Sequence, residues 1–539
     1  MRAPGRIAVV VLAAAAALAC VTASRAPSRV NVLLVTVDSL RADRIDWHPG
    51  GRTPALARLA AGGTRFTNAF TVTPWTAPSL VSIFTGLEPP THGVAHRDDT
   101  TPATLPTLPR LLASRGFSLS NFGFFTAVSY YRNLGLPPQA VTGAEVIGAK
   151  ALADFLPTAK EPFFAWIHFV EPHLPYGAGG YEAATAAVPG GSALSRAQLS
   201  ATVPVHGDLA FEPGDREKVL ALYDHDVEAF DRSLGSVLAA LADRALDDRT
   251  LVVLTADHGE ELLDHGWVGH ASTSGEAKLT DELLRVPLVL RGPGVPRGHV
   301  TDALAQNVDV TPTVLDLEGM ARPRGMQGIS LLRAMEGSGR VRRFVFFDTV
   351  PGGHLTPPER WNERLQGVSD GKRVHAERLG ASRRAEDPSS PDLAPALAAW
   401  RKRQARARLA LLSTYGGAAR PPADEVERYA ENLEIEAPGD GALLEFVAAD
   451  GVIRLAWRGE PKSGASYWVE YEVGSGLLSA RGAFPVEETS IAFGPFPVAF
   501  WNDLAGYSPF RFRILDPARK IRSAWHRFSL AATVGKGAR

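Results

Sequence analysis

Cysteine is nearly absent: 539 residues contain one, Cys20. No intrachain disulfide can support the fold, and the mature chain must be stable without one. Net charge is nearly absent too, with 57 basic against 58 acidic residues and a formal −1. That balance argues against a nucleic acid or other acidic polymer as partner. Long apolar runs are scarce; the one signal-like stretch, Ile7–Ala19, is too short to span a bilayer. What remains is an ordinary globular composition in a chain long enough to bury a sizeable core, as one large α/β unit or several domains.

The N-terminus reads as a signal segment over residues 1–20. Arg2 and Arg6 precede the apolar run, and Cys20 closes it after Ala17-Leu18-Ala19. That ending resembles the bacterial lipoprotein cleavage box. It implies export across the inner membrane and a lipid anchor at Cys20, in the periplasm or on the outer membrane. A plain secretory signal cut near Ala23–Ala26 is the other reading.

The chain is organised around Val72–Gly93, VTPWTAPSLVSIFTGLEPPTHG. Thr76-Ala77-Pro78 has the form of a helix start, because proline fits the first turn where its missing N–H costs nothing. Leu80, Val81, Ile83 and Phe84 form an apolar stripe, and Gly86 stops it. The Thr76 hydroxyl therefore sits at a helix N-terminus, where free N–H groups favour an anion. An ordinary threonine cap reads the same way on this stretch alone.

Two apolar runs, Asn31–Asp38 (NVLLVTVD) and Thr250–His258 (TLVVLTADH), look like parallel strands buried on both faces. Ligands of open α/β sheets sit at the carboxyl ends of such strands. Asp38, Asp257 and His258 leave those ends, and with Thr76 they make an O/O/O/N cage for one divalent metal. A nitrogen ligand favours zinc or manganese, with calcium or magnesium as the alternatives.

At this point the chain resembles the sulfatase family of the alkaline phosphatase superfamily. The resemblance runs from VDSLRAD (Val37–Asp43) through TPALARLAAGGTRFTNAF (Thr53–Phe70), TAPSLVSIFTG and FVEPHLPY (Phe169–Tyr176). It continues through TADHGEELLDHGWVGH (Thr255–His270), DELLRVPLVLRGPG (Asp281–Gly294) and VDVTPTVLDLEG (Val308–Gly319). Formylglycine sulfatases carry C-x-P-S-R, whereas this chain has Thr76 at the Cys position and Leu80 at the Arg position. They also carry paired acids where this chain has Asp38-Ser39, and Asp-Asn where it has Asp257-His258. The threonine and the Asp-His pair are closer to the lipoteichoic acid synthase and phosphoethanolamine transferase branches, which implies an unmodified Thr76 nucleophile and no formylglycine.

The resemblance also implies a fold: a mostly parallel sheet sandwiched between helices over residues 30–335, and a smaller α+β subdomain over 336–420. It assigns His173 to the family's D-P-H position, as a substrate ligand and catalytic group. His168, inside the strand Glu161–Val170, reads as a packed histidine. His265 and His270 lie in a glycine-flanked loop that core packing explains poorly; they read as anion or leaving-group contacts, with His270 also catalytic. Lys278 takes the place of the family's substrate-binding lysine.

Pro213–Asp243 has the period of a long amphipathic helix, whose Asp224, Asp226, Glu228 and Asp231 read as a solvated face, with contact to the cleft as the other reading of Asp226 and Asp231. Asp392–Ser413 reads as a basic helix with a solvated face. Past Pro421-Pro422, short alternating runs over 433–530 have the pattern of a β-sandwich and resemble a fibronectin type III module.

The expected activity is metal-dependent hydrolysis of a sulfuric or phosphoric ester of a small molecule, glycan or lipid, through Thr76. A transferase moving a phospho head group onto a surface glycan or lipid shares every catalytic residue. A catalytically inactive binding scaffold is the non-enzyme reading.

Overall fold

A computed structural model describes residues 30–95, 99, 101–123, 131, 133–137, 149–174, 176–177, 211–270, 277–337, 341–350, 363–378, 392–415, 423–445, 453–460, 467–473, 480–486, 488–493, 505 and 508–531. Cys20 lies outside the described residues. Among those described, no helix is long and apolar enough to cross a membrane.

In chain order the elements that build the site are β1 (Asn31–Val37), α1 (Pro54–Ala61), β2 (Thr64–Phe66), α2 (Thr76–Thr85), α3 (Pro89–His92), β3 (Ser118–Phe122) and β4 (Phe163–Phe169). They continue with α4 (Asp215–Ala242), β5 (Thr250–Ala256), β6 (Leu288–Arg291), β7 (His299–Thr301) and α5 (Leu393–Tyr415). The seven strands form one sheet in the order β7-β2-β6-β5-β1-β4-β3. β3, β4, β1 and β5 run parallel, and β6 is antiparallel to both its neighbours.

Every residue of β1, β4 and β5 is buried. Alternation divides them between two cores. Val35, Val37, Ile167, Phe169, Leu254 and Ala256 face α4, whose stripe includes Leu222, Tyr223, Val227, Phe230, Leu234 and Val237. Leu34, Trp166 and Val253 face the other way, against Leu80, Val81 and Phe84 of α2. The sheet is therefore covered by helices on both sides, as apolar runs without alternation require.

The solvated face expected for α4 holds only in part. Asp226 and Asp231 are buried; Asp231 caps α1, accepting from the N–H groups of Ala55 at 3.0 Å and Leu56 at 2.8 Å. Asp226 accepts the Gly177 N–H at 2.5 Å. Two orphan donors at a helix start and one in a loop thereby find acceptors that local sequence does not offer.

An antiparallel sheet of Val345–Thr349, Leu365–Ser369 and Val374–Arg378 carries α5. Part of the expected solvated face of α5 turns inward. Arg401 bonds Gln366 at 2.7 Å and Glu377 at 2.6 Å, and Arg408 donates to the carbonyls of Thr91 at 3.0 Å and His92 at 2.7 Å at the end of α3. Farther on, a sheet built on Tyr467–Val473 and Phe510–Asp516 faces a second of Ile435–Ala437, Ile453–Trp457 and Ser490–Phe493. They share a core of Trp457, Tyr467, Val469, Phe512 and Ile514, the packing of a β-sandwich.

Candidate active site

Strand register brings the site together. Val37 stands opposite both Phe169 and Ala256, so Asp38 and Asp257, each the next residue along, leave neighbouring strands at the same level. Asp38 is still tied to the sheet through its N–H to Phe169 O, 2.8 Å, and Asp257 through its N–H to Val37 O, 3.3 Å. Helix α2 begins at Thr76, with Thr76 Oγ1 3.3 Å from His258 Nε2.

His258 Nε2 lies 3.5 Å from Asp38 Oδ1 and 3.5 Å from Asp257 Oδ2. These separations exceed an ordinary N–H···O bond. Two ligands held at about 2.1 Å by one ion stand roughly 3.0–3.4 Å apart, so the spacing suits a shared cation. Asp257 Oδ2 is buried with no hydrogen-bond partner among the described residues. The Nδ1–H of His258 donates to its neighbour Gly259 O at 2.8 Å, which leaves the Nε2 lone pair facing the carboxylates. Two carboxylates, a hydroxyl and a neutral imidazole thus fit a divalent metal, with zinc or manganese better served than calcium.

Electrostatics agrees with that geometry. Burial pushes the His258 imidazole down to about 3, with His270 adding to the effect. Burial and the charge of Asp38 push the Asp257 carboxyl well above its ordinary range. Asp38 goes the other way: burial opposes ionisation, but His173, His168 and His258 together hold it well below the carboxylate range. Two carboxylates buried side by side call for a cation.

A polar layer holds these groups. Ser79 Oγ donates to the Asp257 carbonyl at 2.6 Å, and Asn307 Nδ2 donates to Ser79 Oγ at 2.8 Å, which ties α2 to the end of β5. Ser39 has φ +62°, a left-handed value uncommon for serine. In that conformation its N–H reaches Asp257 Oδ1 at 3.2 Å and its hydroxyl Asp38 Oδ1 at 2.9 Å. Tyr223 Oη donates to its carbonyl at 2.7 Å. Strain of this kind persists where the surroundings over-determine it. Gly259 has its own reason: a Cβ there would stand 1.9 Å from Glu282 O.

The histidines divide into two sets. The rings of His258 and His270 are 4.4 Å apart, and those of His173 and His270 5.0 Å. His270 Nδ1 meets Glu260 Oε1 at 3.0 Å, and His173 Nδ1 meets Leu174 O at 2.5 Å. Burial lowers His270 to about 3, whereas His173 is raised, because Asp38 and Glu260 outweigh its burial. His265, half exposed, instead bonds Glu261 at 2.9 Å and lies 4.0 Å from Glu282. Lys278 places its ammonium 3.6 Å over the Trp267 ring.

His168 is more than the packed histidine its strand position suggested. It is buried, yet its Nε2 lies 3.5 Å from Asp38 Oδ2, and one donor atom from each of Asp38, His168 and Asp257 falls within 4.8 Å of the others. Glu260 is the other residue missed. Its carboxyl is fully buried, and Oε2 has no hydrogen-bond partner among the described residues. Its place two residues after His258, inside TADHGEELLDHG, was the available signal.

Comparison with known proteins follows the same lines. The family model described as Sulfatase matches residues 30–320. Over 289 residues the chain is 28% identical to the "Low-salt glycan biosynthesis sulfotransferase Agl7" of Haloferax volcanii, covering 54% of this chain and 61% of that one. An "Ulvan-active sulfatase" of Formosa agariphila is 23% identical over 344 residues, 57% of this chain and 65% of that one. The chain thus spans about three fifths of these relatives' length. Among solved structures, a phosphonate monoester hydrolase from Silicibacter pomeroyi superposes with a TM-score of 0.51 at 20% identity, over 74% of this chain and 98% of that one. That likeness is one of fold.

Proposed function

This chain belongs to the sulfatase family of the alkaline phosphatase superfamily, and from that premise we propose that it is a metal-dependent hydrolase of sulfuric or phosphoric esters with Thr76 as covalent nucleophile. The observation that carries the proposal is the orphaned, buried Asp257 Oδ2, facing His258 Nε2 at 3.5 Å with Thr76 Oγ1 3.3 Å beyond. A buried carboxylate oxygen beside a second carboxylate is costly unless a cation meets it.

Asp38, Thr76, Asp257 and His258 are the residues that would hold the metal. When bound, a divalent ion there lowers the pKa of the Thr76 hydroxyl and polarises the ester. Thr76 Oγ1 forms a bond to phosphorus or sulfur as the bond to the ester oxygen breaks. The free N–H groups at the start of α2 receive the remaining oxygens. His173, whose Nδ1 is held by Leu174 O, has Nε2 left for the departing oxygen. His270, held through Nδ1 by Glu260 at 3.0 Å with its ring 4.4 Å from that of His258, stands beside the ester oxygens and the water that releases the phospho- or sulfo-threonine.

Thr76 favours phosphorus. A formylglycine clears its sulfate by collapsing a geminal hydroxyl back to the aldehyde, and threonine has no route to that aldehyde. A phospho-threonine is cleared by in-line displacement. A panel of chromogenic phosphate monoesters, diesters and sulfates on metal-reconstituted protein tests both the activity and this preference. No Thr76-dependent turnover of any member would sink the reading.

A transferase reading draws on the relative named a glycan biosynthesis sulfotransferase: an acceptor alcohol replaces water in the second step. Product analysis with and without added glycan acceptor separates the two. We also propose export and lipid anchoring at Cys20. Labelled palmitate should enter the wild-type protein in a bacterial host and be lost in Cys20→Ser; retention in the variant rules the anchor out.

A further inference from the structure

We propose that His168 is a further protein ligand of this metal, bonding it through Nε2. The inference rests on the reading of the Asp38–Thr76–Asp257–His258 centre as a metal site, and it extends the donor set to two imidazoles.

Register places the residue. β4 pairs with β1 so that His168 stands opposite Thr36, and β5 places Thr255 opposite the same residue. In-register residues of parallel strands share a face. His168 therefore continues the series Phe164, Trp166 and lies on the α2 side of the sheet, the side from which Thr76 enters. It is 2% exposed.

The distances suit coordination better than a hydrogen bond. Nε2 is 3.5 Å from Asp38 Oδ2, the same separation that His258 Nε2 keeps from Asp38 Oδ1. The two imidazoles therefore approach opposite oxygens of one carboxylate, and one donor atom each of His168, Asp38 and Asp257 falls within 4.8 Å of the others. The Ser39 hydroxyl donates to Oδ1.

The other ring nitrogen is occupied. His168 Nδ1 lies 2.8 Å from Thr36 Oγ1, and Trp166 Nε1, which can only donate, reaches the same oxygen at 2.8 Å. The Thr36 hydroxyl has the Ile167 carbonyl, 3.4 Å away, as an acceptor for its proton. With the proton placed there, Thr36 Oγ1 accepts from both Trp166 and His168 Nδ1–H, and Nε2 is left as a lone pair. Trp166 also stacks on the imidazole, with ring centroids 5.8 Å apart and planes 30° apart, which fixes its orientation. Ligating histidines commonly have their second nitrogen held in this way. The opposite tautomer, with Thr36 donating to Nδ1, makes His168 a hydrogen-bond donor to Asp38 and no ligand.

X-ray absorption on the full chain loaded with one equivalent of zinc distinguishes the two by counting imidazoles. Two are expected in the wild type and one in His168→Ala, with a zinc dissociation constant raised at least about tenfold. His258→Ala should also fall to one. A wild-type count of one, or a count and affinity unchanged in His168→Ala, overturns the proposal while leaving the metal centre standing. Wild-type protein that binds no zinc, manganese, calcium or magnesium overturns the centre itself. Should His168→Ala fail to fold, the wild-type count decides alone, and His168→Gln, which keeps the bulk but not the imidazole, supplies the affinity comparison.

Discussion

Two buried carboxylates on this protein have opposite fates. Asp257 at the end of β5 and Glu88 at the start of α3 are both removed from water. On Glu88 two donors converge: Trp400 Nε1 reaches Oε2 at 2.5 Å and Gln404 Nε2 donates to the same oxygen. Gln404 in turn accepts from Thr91 at 2.6 Å and Gln327 at 3.0 Å, so the network closes and docks α5 on α3. Asp257 Oδ2 has no donor among the described residues. Burial alone does not mark a site; at Asp257 the open acceptor stands beside a second buried carboxylate and an imidazole 3.5 Å away, and leaving it unpaired is costly unless a ligand supplies the missing charge.

The comparison is broken or sharpened first at the nucleophile. Thr76→Ala should lower hydrolysis of the best ester by on the order of 10⁴-fold or more, with Thr76→Ser retaining part of it. Near-wild-type turnover in the alanine variant would remove Thr76 from the chemistry. Next, exhaustive chelation should abolish turnover, and Asp257→Ala should leave a folded protein that no longer holds the metal in elemental analysis. Persistent activity in protein confirmed metal-free would rule the cage out. Glu88→Ala should do the reverse, lowering the unfolding free energy by about 1–3 kcal/mol with metal content unchanged.

Glu88 also has a pH signature of smaller size. Burial raises its carboxyl to about 7, an effect that Trp400 and the nearby Arg342 and Arg403 oppose and Asp309 reinforces. Below the ordinary glutamate range both the folded and the unfolded state are protonated and nothing is lost. As pH rises towards about 7 the folded state keeps a proton that the unfolded chain has released, so stability falls, and above it the loss is complete. Glu88→Gln keeps an acceptor and cannot ionise. Its stability relative to wild type should therefore rise by on the order of 2 kcal/mol between acid and mildly alkaline pH in denaturant titrations. A constant difference across that range would show that Glu88 ionises freely.

A smaller effect concerns the ester. Phosphoesters should exceed sulfates in kcat/KM by on the order of tenfold, about 1.4 kcal/mol in barrier, and a sulfate monoester that outpaces every phosphoester through Thr76 would reverse the assignment. The smallest is no effect at all. A chain ending near Ala430 should keep a cooperative melt and its activity on small substrates, because the sandwich packs on a core of its own. Insolubility or loss of metal would make the sandwich part of the catalytic unit.

Local signals in the sequence were enough to place Asp38, Asp257 and His258 at the ends of apolar runs and Thr76 at a proline-marked helix start. Strand ends and helix starts are written within a few residues, by apolar runs and by proline and glycine punctuation. The sheet with helices on both faces follows from the same runs, since a strand with no polar face must be covered twice. Tertiary structure alone decided the rest. His168 becomes a neighbour of Asp38 only through the parallel register of β1 and β4, a contact across about 130 residues that leaves no local trace. Asp226 and Asp231 look like solvated helix positions until a loop and α1 arrive with unpaired N–H groups, and Arg401 and Arg408 look like surface charge until Glu377 and the end of α3 meet them. Side-chain chemistry is local, but which polar atoms are satisfied depends on partners far along the chain, and this set apart the open carboxylate of Asp257 from the closed one of Glu88.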